Sequence, residues 1–361
     1  MNFEINIGST LIGHNHPPFI IAEMSGNHNQ SLERALKIVD AAAFAGADAI
    51  KLQTYTADTM TLNLSSNAFQ ITDKDSPWFG KSMYELYSEA HTPWEWHPHI
   101  MKRAQKHGLI CFSSPFDETA VDLLESLDAP AYKIASFECV DIPLIERVAR
   151  TGKPLIISTG MANKKEISEA VNAARSCGAK NIILLKCTST YPASASNSNL
   201  LTLPELKKSF QCEVGLSDHT LGIGAAVSAV ALGARVIEKH FTLSRADGGV
   251  DAAFSLEPDE MKQMVEEVQR GFHALGSISY GVSGDQERKS LEGRRSIYFI
   301  NDLKAGDFVS LSDVARIRPA HGLKPKYLKK IIGERIIANV KRGTPVTWDI
   351  FSDNVKKKYV E

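Results

Sequence analysis

Two histidines occupy short segments of similar construction, Gly215-Leu-Ser-Asp-His219-Thr220 and Ile237-Glu-Lys-His240-Phe241. Each ends an apolar run that reads as a buried strand, and the two runs are consecutive. Side chains alternate along a strand, so Ser217 shares a face with His219, and Glu238 shares one with His240. A lone histidine in such a place is usually a satisfied core residue. Two on adjacent strands, both with inward parity, suit an open divalent-metal site or a phosphate.

Other apolar runs also end in polar groups. Glu23 ends the first, Lys51 and Gln53 share a face of the second, and Ser113 and Ser114 close the third. Lys133, Ser136 and Glu138 close the fourth, Ser158 the fifth, and Lys186, Thr188 and Tyr191 the sixth. Lys133 and Ser136 have opposite parity, so a bulge is required if both face inward. Lysines supply point charge and hydroxyls supply directed donors, which suits a phosphate-bearing anion. Glu23 and Glu238 are placed to orient a hydroxyl or act as a base. Each residue has a plainer reading: a strand-end Ser or Thr commonly caps a helix, and a buried lysine commonly pairs with a carboxylate. Taken together they imply a phosphorylated substrate held beside an activated carbonyl. His97 and His99, at a helix start, read as surface residues.

The elements that position these residues recur eight times as a short Ile-, Val- and Leu-rich run followed by an amphipathic helix. The runs are 19–24, 49–54, 109–114, 131–136, 155–159, 181–188, 213–219 and 235–241. Helical patterns include 31–46, 94–107, 118–127, 164–177, 222–232 and 258–275. Ser31 reads as an N-cap, and Gly46, Gly108, Gly152, Gly178 and Gly233 read as stops. Apolar strand middles with polar C-terminal ends point to an α/β fold, a (β/α)8 TIM barrel, over residues 1–276; a doubly wound open sheet is the competing arrangement. Residues 57–93, rich in Asp, Ser, Asn, Pro and aromatics, form a long excursion at the catalytic face, a lid or small subdomain. Residues 277–293 read as a linker. Residues 294–361 read as a small β-rich domain, with pieces at 296–300, 308–311 and 335–338 and one helix at 327–332.

Composition bounds the rest. Hydrophobic residues are 43% and charged residues 23% of 361, ordinary for a globular chain. No run is long and apolar enough for a membrane span, and no secretion signal is visible, so membrane partners are not expected. The 5 scattered cysteines suit reduced thiols and a cytoplasmic location. From Arg288 onward there are 17 Lys and Arg against 8 Asp and Glu, leaving 24 against 34 in the body. A basic module beside an acidic body suits anions or a partner subunit. It lacks the interleaved aromatics that nucleic-acid binding would use.

At this point the motifs themselves are recognisable. Glu23 with Asn27-His28, Lys51-Leu-Gln53-Thr54, Ser113-Ser-Pro-Phe116, Lys133-Ile-Ala-Ser136-Phe-Glu138, Ser158-Thr-Gly-Met161, Cys187-Thr-Ser-Thr-Tyr191-Pro192, Leu216-Ser-Asp-His219 and Glu238-Lys-His240 resemble the sialic acid synthase family, in order over nearly the whole chain. The stretch from Ala246 to Pro258 resembles its pseudaminic acid synthase branch, and the C-terminal part resembles its antifreeze-like (SAF) domain. The resemblance implies condensation of phosphoenolpyruvate with an open-chain acetamido sugar aldehyde, 2,4-diacetamido-2,4,6-trideoxy-L-altrose for this branch. It implies a divalent ion (Mn2+, or Mg2+ or Co2+) on His219 and His240. Lys51, Ser114, Lys133, Ser136, Glu138, Ser158 and Ser189 would hold phosphoenolpyruvate, with Glu23 and Glu238 handling protons. Tyr191, Asp251 and Arg318 would meet the sugar, Arg318 from the second subunit of a domain-swapped homodimer.

Four positions depart from the N-acetylneuraminate synthase pattern: Ser189, Ser114, Phe137 and Ala252 stand where Asn, Thr, Gly and His are usual. Phe137 and Ala252 make the expected sugar pocket more apolar, which fits a 6-deoxy diacetamido sugar. Three other readings stand beside this one. The chain is a synthase of N-acetylneuraminic or legionaminic acid, a Schiff-base aldolase using Lys186 or Lys133, or a non-enzymatic scaffold carrying a binding module.

Overall fold

The computed structural model describes residues 4–74 and 76–359. Its contacts divide the chain into two compact units, one ending at Gly276 and one beginning at Ser277.

The first unit is a closed barrel of eight parallel strands in consecutive order. The strands are β1 (Phe19–Glu23), β2 (Ala49–Thr54), β3 (Ile110–Pro115), β4 (Tyr132–Ile134), β5 (Leu155–Ser158), β6 (Ile182–Cys187), β7 (Glu213–Asp218) and β8 (Val236–His240). β8 closes on β1, pairing His240 with Glu23 and Val236 with Phe19. Eight helices cover the wall: α1 (Leu32–Phe44), α2 (His97–Lys106), α3 (Glu118–Ser126), α4 (Ile142–Ala149), α5 (Lys164–Ser176), α6 (Thr202–Phe210), α7 (Gly224–Ala231) and α8 (Pro258–Leu275). The starts of α1, α3, α4 and α5 are set by side chains that satisfy otherwise unpaired N–H groups. Ser31 accepts from Arg34 N, as expected, and Asn163 forms a reciprocal box with Glu166.

Inward side chains stack in layers up the barrel. Near the N-terminal ends the filling is apolar, with Phe19, Ile21, Phe112, Ile156, Leu185 and Val236 in one cluster. Gly215 is required there, because a Cβ would lie 2.3 Å from Val236 O and 2.7 Å from Leu185 Cδ2. An antiparallel hairpin, Glu4–Ile7 with Thr10–Gly13, was not anticipated from sequence. Its Ile5, Ile7 and Ile12 join this cluster and plug that end of the barrel.

Several local expectations are corrected. β4 ends at Ile134, so Ser136 lies beyond the strand in the approach to a 3-10 turn, and no bulge is needed to reconcile it with Lys133. His97 is not a surface residue: it is 0% exposed, its Nε2 lies 2.8 Å from Thr54 Oγ1, and burial lowers its pKa. The 3-10 turn Trp94–Trp96 delivers α2 with His97 facing the barrel, whereas His99 is exposed. Among its described residues the 57–93 excursion contains two short α-helices, Ala57–Met60 and Met83–Ala90, and a 3-10 turn, Asn67–Phe69.

In the second unit, β9 (Ser296–Phe299) pairs antiparallel with β10 (Val314–Ile317), a strand the sequence pattern did not mark. The pieces expected at 308–311 and 335–338 are single bridges, Phe308 to Arg335 and Ile336 to Phe351. They are held by a core that includes Ile297, Phe299, Val309, Ile336 and Val346. The helix Leu328–Ile331 falls within the expected 327–332. Among the described residues no helix is long and apolar enough to cross a membrane.

Candidate active site

The upper layer of the barrel interior is ionic. Lys51 on β2 is paired with Glu23 on β1, lies 3.8 Å from Glu238 on β8 and donates to Ser114 Oγ at 3.2 Å. Lys133 on β4 lies 3.4 Å from Glu238, which also accepts from Ser217 Oγ at 2.9 Å. Strand period and register account for the grouping: Glu23 is opposite Lys51, and Glu238 is opposite Ser217.

Burial and the neighbouring charges drive the pKa values of the two carboxyls apart. Burial raises the Glu23 pKa, with Lys51 opposing and Glu238 adding to the rise. Burial also works against ionisation of Glu238, but Lys133 and Lys51 outweigh it and bring the carboxyl down to about 2. Burial opposes the Lys51 charge, yet the two carboxylates around it raise its pKa; Lys133 is lowered, chiefly by burial. The result is one fixed anion, one ammonium between two carboxylates, and one carboxyl that holds a proton more readily.

Beside this floor, His219 and His240 have ring centroids 5.3 Å apart. His219 Nδ1 lies 3.0 Å from Thr188 O; a carbonyl only accepts, so Nδ1 carries a proton and, in the neutral ring, Nε2 the lone pair. His240 Nδ1 is buried without a hydrogen-bond partner among the described residues, and burial together with His219 lowers its pKa well below the usual value. Two imidazoles side by side, one with an orphaned ring nitrogen, fit a divalent cation that would displace the proton from the other. Among the described residues no group of three or more His, Cys, Asp or Glu is gathered as a ligand set. Tyr191 packs 4.5 Å from His219, and Phe254 packs 5.0 Å from His240.

A cavity of about 390 Å³ opens beside His240. Ser25, Gln53, Ser136, Glu138, Tyr191 and Asp251 give it a polar side. Its apolar side comes from Tyr55 and Phe116, from Phe137, and from Met60, Trp78 and Leu86 of the 57–93 segment. Trp78 Nε1 donates to Val250 O at 2.7 Å and ties that segment to the loop after β8. Asp251 accepts from Ser25 Oγ. Burial raises the Asp251 pKa and pushes the Glu138 carboxyl up to about 7. Phe137 faces the cavity as expected. Ala252 does not line it and is 2% exposed, so only one of the two expected apolar changes reaches this space.

Next to the cavity, Ser136 Oγ accepts from Gly160 N at 3.2 Å. A Cβ on Gly160 would fall 2.2 Å from Ser189 Oγ and 2.7 Å from Ser136 Oγ. Ser136, Gly160 and Ser189 therefore share one close-packed corner. Ser158 Oγ is buried without a partner among the described residues. The two candidate Schiff-base lysines are engaged: Lys133 with Glu238, and Lys186 as a donor to Cys187 O at 2.7 Å.

Of the residues singled out from sequence, Glu23, Lys51, Ser114, Lys133 and Glu238 form one contacting group. Tyr191, His219 and His240 form a second, with Asp251, Ser136 and Glu138 at the cavity. Arg318 belongs to the second unit, where it lines a surface hollow with Arg294 and Arg295. Sequence reasoning missed Phe254, Ser25 and Cys187. The Cys187 Sγ lies 3.8 Å from His219 Nδ1; burial alone would raise this thiol, but His219, together with Ser136 and Lys133, outweighs burial and brings it to about 7. Its inward parity with Leu185 and its place at the head of the Cys187-Thr-Ser-Thr-Tyr191-Pro192 motif could have marked it.

Residues 38–280 match the NeuB family, and residues 294–351 match the SAF domain. A pseudaminic acid synthase of Campylobacter jejuni is 45% identical over 328 residues, covering 90% of this chain and 94% of its own. An N,N'-diacetyllegionaminic acid synthase of Legionella pneumophila is 36% identical over 335 residues, covering 92% and 94%. Among solved structures, the N-acetylneuraminic acid synthetase of Leptospira borgpetersenii, in complex with citrate, aligns with a TM-score of 0.71 at 33% identity, covering 81% of this chain and 96% of that one. With a family match over most of its length and relatives this similar along nearly the whole of theirs, the chain belongs to the NeuB family.

Proposed function

We propose that this chain catalyses pseudaminic acid synthesis, condensing phosphoenolpyruvate with open-chain 2,4-diacetamido-2,4,6-trideoxy-L-altrose. C3 of phosphoenolpyruvate forms a bond to the aldehyde carbon, water adds at C2, and phosphate leaves with cleavage of its C–O bond. The observation that carries the reading is the pair of imidazoles, one with an orphaned ring nitrogen, standing beside a floor of two lysines and two carboxylates. The sugar assignment draws on the higher identity to the pseudaminic acid synthase than to the legionaminic one, and on Phe137 in the cavity lining.

In this reading Lys51, Lys133, Ser114, Ser136, Ser158 and Ser189 hold the phosphate and carboxylate of phosphoenolpyruvate. Glu138, raised by burial to about 7, is protonated often enough at neutral pH to donate to an anionic oxygen. Glu23 moves protons and Glu238 stays ionised, because their environments drive their pKa values in opposite directions. Tyr191 and Asp251 meet the sugar. His219 and His240 would hold Mn2+, Mg2+ or Co2+, which when bound makes the aldehyde carbon more electrophilic.

Domain exchange in a homodimer belongs to the same proposal, with Arg318 reaching the sugar of the other copy. What supports it is the set of exposed apolar side chains on successive rim loops, Phe137, Met161, Leu201 and Leu221, together with the basic second unit. A cytoplasmic location fits the 5 free cysteines. The test is phosphate release from phosphoenolpyruvate with a panel of acetamido sugars, with and without chelator. Turnover with the diacetamido trideoxy sugar, abolished by chelation, is expected. Turnover only with N-acetylmannosamine would overturn the sugar assignment, and chelator-resistant turnover would overturn the cation.

A further inference from the structure

We propose that Asp218 and Lys239, which face away from the barrel interior, are positioning residues that fix the spacing of His219 and His240 and so set the affinity of the pair for a divalent cation. The inference rests on the cation-site reading above. Asp218 and Lys239 are opposite one another in the β7–β8 register, one step beyond the inward pair Ser217 and Glu238, and so lie on the outer side of the wall. Lys239 Nζ donates to Asp218 Oδ2 at 2.7 Å and to Thr220 O at 2.5 Å. Asp218 Oδ1 accepts from Thr220 N at 2.9 Å.

One ammonium thus grips the residues on both sides of His219, and the lysine that carries it immediately precedes His240. The ladder between β7 and β8 ends at this pair, so His219 has left the sheet on that side. On the other side its carbonyl accepts from Ala193 N at 2.9 Å. Toward β8, the Lys239 contacts tie the turn bearing His219 to the strand bearing His240.

The ion pair is almost wholly buried, Lys239 at 1% and Asp218 at 3% exposure. Burying two charges costs several kcal/mol per ion, and well-packed apolar residues in their place are often neutral or stabilising. A charged staple at this position is therefore poorly explained by stability alone. It is well explained by the precision that two ligands on separate strands require, since partners outside a ligand set commonly contribute 10–100-fold to metal affinity.

The test measures binding of Mn2+ alone to the full chain, by electron paramagnetic resonance of free Mn2+, beside thermal unfolding of the chelated protein. The variants are Lys239→Met, Asp218→Asn and the double variant Lys239→Met with Asp218→Leu. The double variant is expected to bind Mn2+ roughly 10–100-fold more weakly, with an unfolding midpoint no lower than that of the native sequence. Excess Mn2+ should restore its kcat, as loss of a catalytic group would not allow. Wild-type Kd in the double variant would overturn the staple, as would an affinity loss that merely follows a fallen midpoint. If Lys239→Met does not fold, Asp218→Asn carries the test, because it keeps the side-chain shape and an acceptor for Thr220; an unchanged Kd there overturns the proposal too. Failure of the native protein to bind Mn2+ would instead remove the cation site itself.

Discussion

The same eight strands fill the two ends of the barrel interior with opposite chemistry. At the N-terminal end the inward positions are Phe19, Ile21, Phe112, Ile156, Leu185 and Val236, closed off by the isoleucines of the hairpin. Two residues further along the same faces they are Glu23, Lys51, Ser114, Lys133, Ser217 and Glu238. The difference separates two tasks. The lower end holds the barrel shut through apolar burial, which needs no particular partner. The upper end keeps four charges out of water, which is tolerable only because each charge has an opposite one within reach. Stability should therefore respond mainly to changes below, and chemistry to changes above.

The largest effect expected from breaking this contrast is at the histidine pair. His219→Ala or His240→Ala should lower kcat by more than the roughly 10–100-fold that an outer partner of a metal ligand is worth. Unfolding midpoints should stay near that of the native sequence. Steady-state kinetics with added Mn2+ would measure it, and near-normal turnover would remove the ligand assignment. The converse change is Ile156→Ala in the lower layer, which leaves a cavity among close-packed neighbours. It should cost about 2–5 kcal/mol of folding stability, read by urea unfolding, with both substrate KM values unchanged. A raised KM would mean that the two ends are mechanically coupled.

Much of this arrangement was legible in the sequence, because parallel barrels convert a local signal into a global one. Parity along a strand decides which residues face inward, and the strand's C-terminal end decides which reach the chemistry. Glu23, Lys51, Lys133, Glu238 and the two histidines were all found by those two rules. What was missed depends on contacts between distant segments. Phe254 reaches Tyr191 only because the loops after β6 and β8 meet over the histidines. The hairpin plug joins residues 4–13 to side chains from strands all around the barrel. His97 looked like a surface residue because its neighbours in sequence are polar or aromatic. Its buried ring meets Thr54, which lies 43 positions earlier.

Acid should expose the contrast as well, since titratable side chains gather at the upper rim. His28, just beyond β1, is lowered to about 4, first by burial and then by His91. Above the unfolded value of 6.5 both folded and unfolded states are neutral there, and the full contribution is present. As pH falls toward 4 the unfolded chain takes up the proton while the folded one does not, so stability declines; below 4 the decline levels off. The loss attributable to this one group is about 3 kcal/mol. Urea unfolding at pH 7 and pH 4.5 should show a shallower fall for His28→Gln than for the native sequence. Equal slopes would mean that the imidazole is not held neutral by its surroundings.

The smallest effect lies at the corner where β5 gives way to its loop. Gly160 sits where a Cβ would come within 2.2 Å of Ser189 Oγ and 2.7 Å of Ser136 Oγ. An alanine must therefore push both hydroxyls aside, or withdraw its own N–H from Ser136. These two serines are proposed to hold an anionic substrate, and theirs are the nearest atoms to a Cβ on Gly160. Gly160→Ala should consequently weaken phosphoenolpyruvate use by roughly tenfold in KM, the scale of one charge-assisted hydrogen bond. The KM for the sugar and the unfolding midpoint should hardly move. A loss confined to the sugar would place Ser136 and Ser189 on the other substrate, and a loss of stability alone would return this corner to the scaffold. Either result would move the boundary between the supporting and reacting parts of the barrel, because it would change which substrate, if any, the end of β5 serves.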